Sequence, residues 1–289
     1  MADPAPRNWP FAAQSRLIAA AGHRWWVIDT GTAEDTRPII LMLHGAGGSG
    51  HSFRHMIPLL AADYRLIVPD LPGQGLTRTR PSARFTLDAM TADLQALCAT
   101  MGIAPAWIIG HSAGAAIALD LAARLRLSGV IGINAALGKF EGVSGVLFPL
   151  MARFLAALPL VPQAVSRLWG NAASVDRLLA STGSMIEPAG KAQYLELVRR
   201  SDHVNGTLAM MAAWQLDALN ASLPGLATPV LLIACEDDLA VPARVSRNAA
   251  EIMPDARLHL IPKGGHLVHE VDAGLVMPPI RDFLRDTAP

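Results

Sequence analysis

Short apolar runs, rich in β-branched and aromatic side chains, recur along the chain. They are Trp25-Trp26-Val27-Ile28, Ile39-Ile40-Leu41-Met42-Leu43, Leu66-Ile67-Val68, Trp107-Ile108-Ile109, Val130-Ile131-Gly132-Ile133, Val230-Leu231-Leu232-Ile233 and Leu258-His259-Leu260-Ile261. Most are continuous rather than alternating, the pattern of parallel strands covered on both faces. Between several of them the apolar positions switch to helical spacing, as in Leu87 to Met101 and Ala243 to Met253. The alternation predicts an α/β architecture with a mostly parallel central sheet and helices on both faces. Residues 1–22 show no such pattern and read as a loosely structured lead-in.

One interval breaks the rhythm. Between Asn134 and Val230 no run reads as a strand, but Phe148, Met151, Leu155 and Leu158 repeat at helical spacing, as do Leu208 with Met211 and Met210 with Trp214. The chain therefore divides into a core of residues 1–136 and 223–289 and a helical insertion, residues 137–222, lying over the strand ends as a lid. The apolar stripes of the insertion either pack it onto the core or line an apolar substrate cavity. Thioethers at Met151, Met185, Met210 and Met211 suit an adaptable binding wall. Met151, Met210, Met211 and Trp214, with His203 from the same segment, are the candidate substrate-binding residues, and a capping or surface role is the alternative for His203.

Bulk composition narrows the classes of function. At 289 residues and 52% hydrophobic, the chain can bury a large core. Its 24 basic and 24 acidic side chains cancel, and no basic stripe announces nucleic acid. Cys98 and Cys235 are far apart and have no metal-binding spacing, which fits a reducing cytosol rather than a disulfide scaffold. The first residues lack the basic-then-apolar layout of a secretory signal. The most lipophilic stretch, Val143 to Val161, is interrupted by Pro149, Arg153 and Pro159, so no transmembrane segment is expected. A cytoplasmic protein with room for a peripheral membrane contact is the expectation.

The chemistry concentrates at Gly110-His111-Ser112-Ala113-Gly114. A bare G-x-S-x-G arises by accident in roughly one chain in ten of this length. Here it lies between a predicted strand and a helix-forming run from Ala115 to Leu125, the context a nucleophile elbow requires. A serine hydroxyl needs a base and an orienting acid behind it. His266, in Gly264-Gly265-His266 just after an apolar run, is the candidate base. The acid should follow Val230–Ala234, where Glu236, Asp237 and Asp238 stand; Asp238 is preferred, with Asp237 its main rival. Asn134 occupies another strand end where such enzymes keep an acid, but an amide carries no charge. The loop His44-Gly45-Ala46-Gly47-Gly48-Ser49-Gly50 is placed to stabilise an oxyanion, with the N–H groups of Ala46 and Ala113 as donors. It lacks the Lys-Ser/Thr ending of a phosphate-binding loop. His51 and His55 share a helical spacing without a third ligand, so no metal and no cofactor are expected.

With these parts in order, the chain resembles the α/β-hydrolase superfamily along nearly its whole length, through His44-Gly45, Asp70-Leu71-Pro72-Gly73, Gly110 to Gly114, Asp238 to Pro242 and Gly265-His266. Within it the chain looks like the magnesium-chelatase accessory proteins of bacteriochlorophyll synthesis. Asn8-Trp9-Pro10, Asn134-Ala135-Ala136-Leu137, Ser181-Thr182-Gly183-Ser184, His203-Val204-Asn205-Gly206 and Met210 to Trp214 carry that narrower likeness. Departures are Cys235 for a frequent glycine, Gln74 for a frequent histidine and Val271 for a frequent acid. The resemblance implies a lidded α/β-hydrolase fold and a Ser112–His266–Asp238 hydrolase acting on a small apolar ester-like substrate. It also implies a role near the step that inserts magnesium into protoporphyrin, with a chelatase contact. A non-catalytic tetrapyrrole-binding accessory protein is the alternative it leaves open.

Overall fold

The structure is a computed structural model and describes residues 5–80, 85–138, 166–167 and 170–289. Among the described residues nine strands make one sheet: β1 Ser15–Ala20, β2 His23–Asp29, β3 Ile39–Leu43, β4 Arg65–Pro69, β5 Arg78–Thr79, β6 Trp107–His111, β7 Gly129–Ile133, β8 Val230–Cys235 and β9 Ala256–Ile261. Their order is β1-β2-β4-β3-β6-β7-β8-β9, with β5 added beside β2. Pairings from β4 through β9 are parallel, and β2 joins β1, β4 and β5 antiparallel. The helices are α1 Ile57–Leu60, α2 Leu87–Met101, α3 Ala113–Ala122, α4 Ala172–Ala180, α5 Pro188–Val198, α6 Ser201–Ala213, α7 Asp217–Ser222, α8 Arg244–Ile252, α9 Val268–Val271 and α10 Ala273–Asp286.

The central runs are apolar at every position because each face of the sheet has its own core. In β3, Leu41 and Leu43 face the cluster built with α2 and α3, while Ile40 and Met42 face Phe53, Ile57, Val276 and Ile280. Fully burying such a side chain is worth about 1.5–3 kcal/mol, so polar alternation would forfeit half of the core. Between β7 and β8 the described residues form only helices, α4 to α7. Phe148, Met151, Leu155 and Leu158 lie outside the described residues.

The lead-in departs from expectation. β1 pairs along its whole length with β2, and Trp9 is buried against Leu76 and Leu197. Its burial pattern does not alternate cleanly, which is why periodicity missed it. The long helix α10 also escaped the pattern, because Pro278 and Pro279 interrupt it. It nonetheless buries Val276, Met277, Ile280 and Phe283. Among the described residues no helix is long and apolar enough to cross a membrane.

Candidate active site

The turn from β6 into α3 is as tight as its glycines imply. A Cβ on Gly110 would lie 2.4 Å from Gly114 O, and one on Gly114 would lie 2.1 Å from Leu43 O. These are backbone collisions that no side-chain motion relieves, so both positions exclude any larger residue. Ser112 sits between them at φ 52°, ψ −116°, a strained conformation for a residue with a Cβ. Three backbone bonds hold it there. Ser112 N donates to Ile133 O at 2.9 Å, and Ser112 O accepts from Ala115 N and Ala136 N, each at 3.1 Å.

The histidine loop is fixed just as tightly. His266 Nδ1 donates to Asp238 Oδ2 at 2.7 Å, and both residues are buried. Asp238 Oδ1 accepts from Ala240 N and Val241 N at 2.7 and 2.8 Å, which holds the carboxylate against the ring. Its rival Asp237 does something else: its oxygens accept from Gly264 N and Gly265 N at 3.1 and 2.9 Å, bracing the backbone before the ring. Asn134, whose amide carries no charge, has a different task from that of a catalytic acid. Its Nδ2 donates to Gly265 O at 3.0 Å and His266 O at 2.9 Å, while Oδ1 accepts from Cys235 N at 2.8 Å. It thus ties the ends of β7 and β8 to the histidine loop. His111 Nε2 donates to the same His266 carbonyl at 2.9 Å, and the two rings stand 4.7 Å apart. No composition or spacing argument pointed to these backbone braces.

In the glycine-rich loop, Gly48 N turns back to Gly45 O at 3.1 Å and Gly47 N donates to Gln74 Oε1 at 2.8 Å. Ala46 N has no acceptor among the described residues. Ala113 opens α3, where the first N–H groups of a helix lack intrahelical partners. Asp70 shapes this region: its carboxylate accepts from Gly50 N at 2.6 Å and Leu76 N at 2.7 Å. Burial pushes its pKa up to about 7 against those two bonds.

A cavity of about 300 Å³ brings these pieces together. Gly45 to Gly48, His111, Ser112, His266 and Leu267 form one side; Leu178, Leu179, Thr182, Tyr194, Val198, Val204, Thr207 and Leu208 roof it from α4, α5 and α6 and the turn after α4. Its described lining holds no Asp, Glu, Lys or Arg. Ser112 and His266 share this wall, but no hydrogen bond joins Ser112 Oγ to His266 among the described residues. Catalytic contacts of this kind are often long in unliganded sites and tighten around the substrate.

The candidate substrate-binding residues are distributed differently from expectation. His203 lines the cavity, yet its Nδ1 accepts from Gly75 N at 2.9 Å, and burial lowers its pKa to about 3. Met210 is buried in the main core and lies outside the described lining. Met211 is half-buried and also outside it, and Trp214 lines a separate groove of about 500 Å³ with Leu216, Val241 and Ile252. Met151 lies outside the described residues, and Met185 is 87% exposed. The reason is helical phase. On α6, residues 203, 204, 207 and 208 face the cavity, so Gly206 and Met210, rotated from them, face the turn at residues 73–74. Of the two helical pairs read from the sequence, Leu208 with Met211 and Met210 with Trp214, only Leu208 lines this cavity.

Behind the cavity lies a buried polar cluster that sequence reasoning missed. Glu270, fully buried, accepts from Ser52 Oγ and Tyr194 OH, each at 2.6 Å, and pairs with Arg54 at 2.5 Å. Burial raises the Glu270 pKa while Arg54 opposes the rise. His44, His51, His111 and His269 are also buried and kept neutral by desolvation, His44 near 4 and His269 near 3. Among the described residues no group of acids, histidines and cysteines could hold a metal ion.

Sheet order, elbow and loop placement define an α/β-hydrolase. The chain belongs to that family: the sequence profile of the alpha/beta hydrolase fold matches residues 38–273. It is similar to the magnesium-chelatase 30 kDa subunit of Rhodobacter capsulatus, 50% identical over 279 residues, 96% of this chain and 97% of that protein. In three dimensions it is similar to a thermophilic esterase from Thermogutta terrifontis, with a TM-score of 0.76, 22% identity and coverage of 96% of this chain and 100% of that one. The epoxide hydrolase CorEH superimposes with a TM-score of 0.78 at 18% identity, covering 94% of this chain and 98% of that chain. The two structural likenesses bear on the fold alone.

Proposed function

We propose that the chain is a serine hydrolase acting on an apolar, ester-like substrate. Ser112 Oγ attacks the carbonyl carbon as His266 takes its proton, and the N–H groups of Ala46 and Ala113 hold the oxyanion that forms. Collapse breaks the ester C–O bond, and His266 protonates the departing alcohol. Water, activated by the same imidazole, then cleaves the acyl-enzyme. Asp238 keeps the imidazole in the required tautomer. The observation that carries this reading is the 2.7 Å bond from His266 Nδ1 to Asp238, with the imidazole on the wall shared with a strained Ser112. The uncharged lining supports a neutral reacting group, and α4 to α6 act as the lid over it. The test is labelling with a fluorophosphonate: modification confined to Ser112 and lost in Ser112→Ala supports the reading. Absence of labelling in folded protein defeats it.

The similarity to a protein named as a magnesium-chelatase subunit supports a place in bacteriochlorophyll synthesis, beside the chelatase, with a tetrapyrrole ester as the substrate class. The uncharged, largely apolar lining suits a flat macrocycle as well as an acyl chain, which supports a second reading, a non-catalytic tetrapyrrole-binding accessory protein on the same fold. Ser112→Ala separates the two. Rescue of pigment synthesis in a deletion strain, with a Soret shift on adding protoporphyrin, supports binding without catalysis.

A further inference from the structure

We propose that Gln74 is a positioning residue that couples the seating of lid helix α6 to the geometry of the Ala46 oxyanion loop. The inference rests on the hydrolase reading and adds to it a specific mechanical link. Gln74 is fully buried, and its amide spans two elements. Oε1 accepts from Gly47 N at 2.8 Å, on the residue after the proposed donor Ala46. Nε2 donates to Met210 Sδ on α6 at 3.0 Å. A planar amide satisfied at both ends leaves little freedom to either partner, and losing one end leaves a buried polar atom unpaired.

The neighbouring contacts make the same turn a seat for the helix. Gly206 packs so closely that a Cβ there would lie 2.0 Å from Gly73 O, a backbone contact that cannot yield. One turn earlier on α6, His203 accepts from Gly75 N at 2.9 Å. Beneath, His44 Nε2 accepts from Leu71 N at 2.9 Å, so the start of the oxyanion loop is bound to the start of the turn. The loop is therefore gripped through residues 71–75, and those residues are gripped by α6. When α6 lifts, Gln74 loses its sulfur partner and the Gly47 peptide loses its constraint. The Ala46 N–H then no longer points reliably at the developing charge.

The test uses the full-length protein with Gln74→Leu, which removes both bonds at similar volume, and Met210→Leu, which removes only the lid-side acceptor. Three readouts are taken: the fluorophosphonate labelling rate at Ser112, kcat and KM on p-nitrophenyl acetate, and amide hydrogen exchange of residues 44–50 and 201–213. For Gln74→Leu the expected result is a fall of about 10–100-fold in kcat with KM within about twofold, as for a displaced oxyanion donor. Exchange should quicken by about tenfold in both segments together. Met210→Leu should give the same pattern, smaller in size, and is the informative variant if Gln74→Leu fails to fold. Unchanged exchange in either segment overturns the coupling, whatever happens to kcat. Faster exchange with unaltered kcat overturns the positioning role. If the wild type neither labels nor turns over, the hydrolase reading fails, and exchange alone still decides whether the clip exists.

Discussion

Replacing Asn134 by Ala removes a brace that reaches only backbone. The side chain satisfies Gly265 O, His266 O and Cys235 N, all inside the protein. His266 O keeps His111 Nε2 as a donor, so two backbone groups are left without a partner. Each orphaned buried group costs about 1–3 kcal/mol. Asn134 also sits at φ 45°, where Asn is tolerated better than Ala, adding about 1 kcal/mol. The expected loss is about 3–7 kcal/mol, a large share of the 5–15 kcal/mol typical of a folded chain. Urea unfolding followed by tryptophan fluorescence should show the midpoint falling by about 1–2.3 M for an m-value near 3 kcal/mol/M. Asn134→Asp sharpens the test. It keeps an acceptor for Cys235 N but turns oxygen lone pairs toward two carbonyls, so its penalty should be larger at pH 8 than at pH 5. A loss below about 1 kcal/mol in Asn134→Ala, or an Asp variant indifferent to pH, would refute the brace.

Asp238→Asn should leave the fold intact while lowering the Ser112 labelling rate by about 10³–10⁴-fold, because the imidazole is then held in the wrong tautomer; an unimpaired rate would remove Asp238 from the mechanism. Acid should destabilise the protein steeply. Five buried histidines, His44, His51, His111, His203 and His269, have native pKa values below the ordinary 6.5. Below pH 6.5 the unfolded chain therefore binds more protons than the native one, and stability falls as pH falls toward 4. Asp70 and Glu270, raised by burial, work in the opposite direction. A net uptake of about three protons gives about 4 kcal/mol per pH unit between pH 6 and 4.5. Urea midpoints that stay level from pH 7 to pH 5 would contradict this. Gly206→Ala should raise α6 off the turn at Gly73, lowering the melting temperature by several degrees and exposing residues 201–213 to proteolysis; protection equal to wild type would mean the contact is not needed.

The sequence alone determined the sheet core, the elbow and the order of the chemical groups, because these depend on local signals. Continuous apolar runs mark strands buried on both faces, as β3, β6, β7 and β8 are. Glycines at 110 and 114 mark a turn where backbone passes within collision distance of backbone. The sequence preferred Asp238 to Asp237 without being able to show their separate tasks, since adjacent carboxylates differ only in where the loop points them. One meets the imidazole and the other the peptide groups before it. Nor could it choose between the two stripes of α6, because helical periodicity marks apolar faces without saying which neighbour each face meets. Asn134, His111 and Gln74 were invisible as braces for the same reason. Their partners lie 131, 155 and 136 residues away in the chain, and such contacts exist only once the sheet and the helices above it have come together.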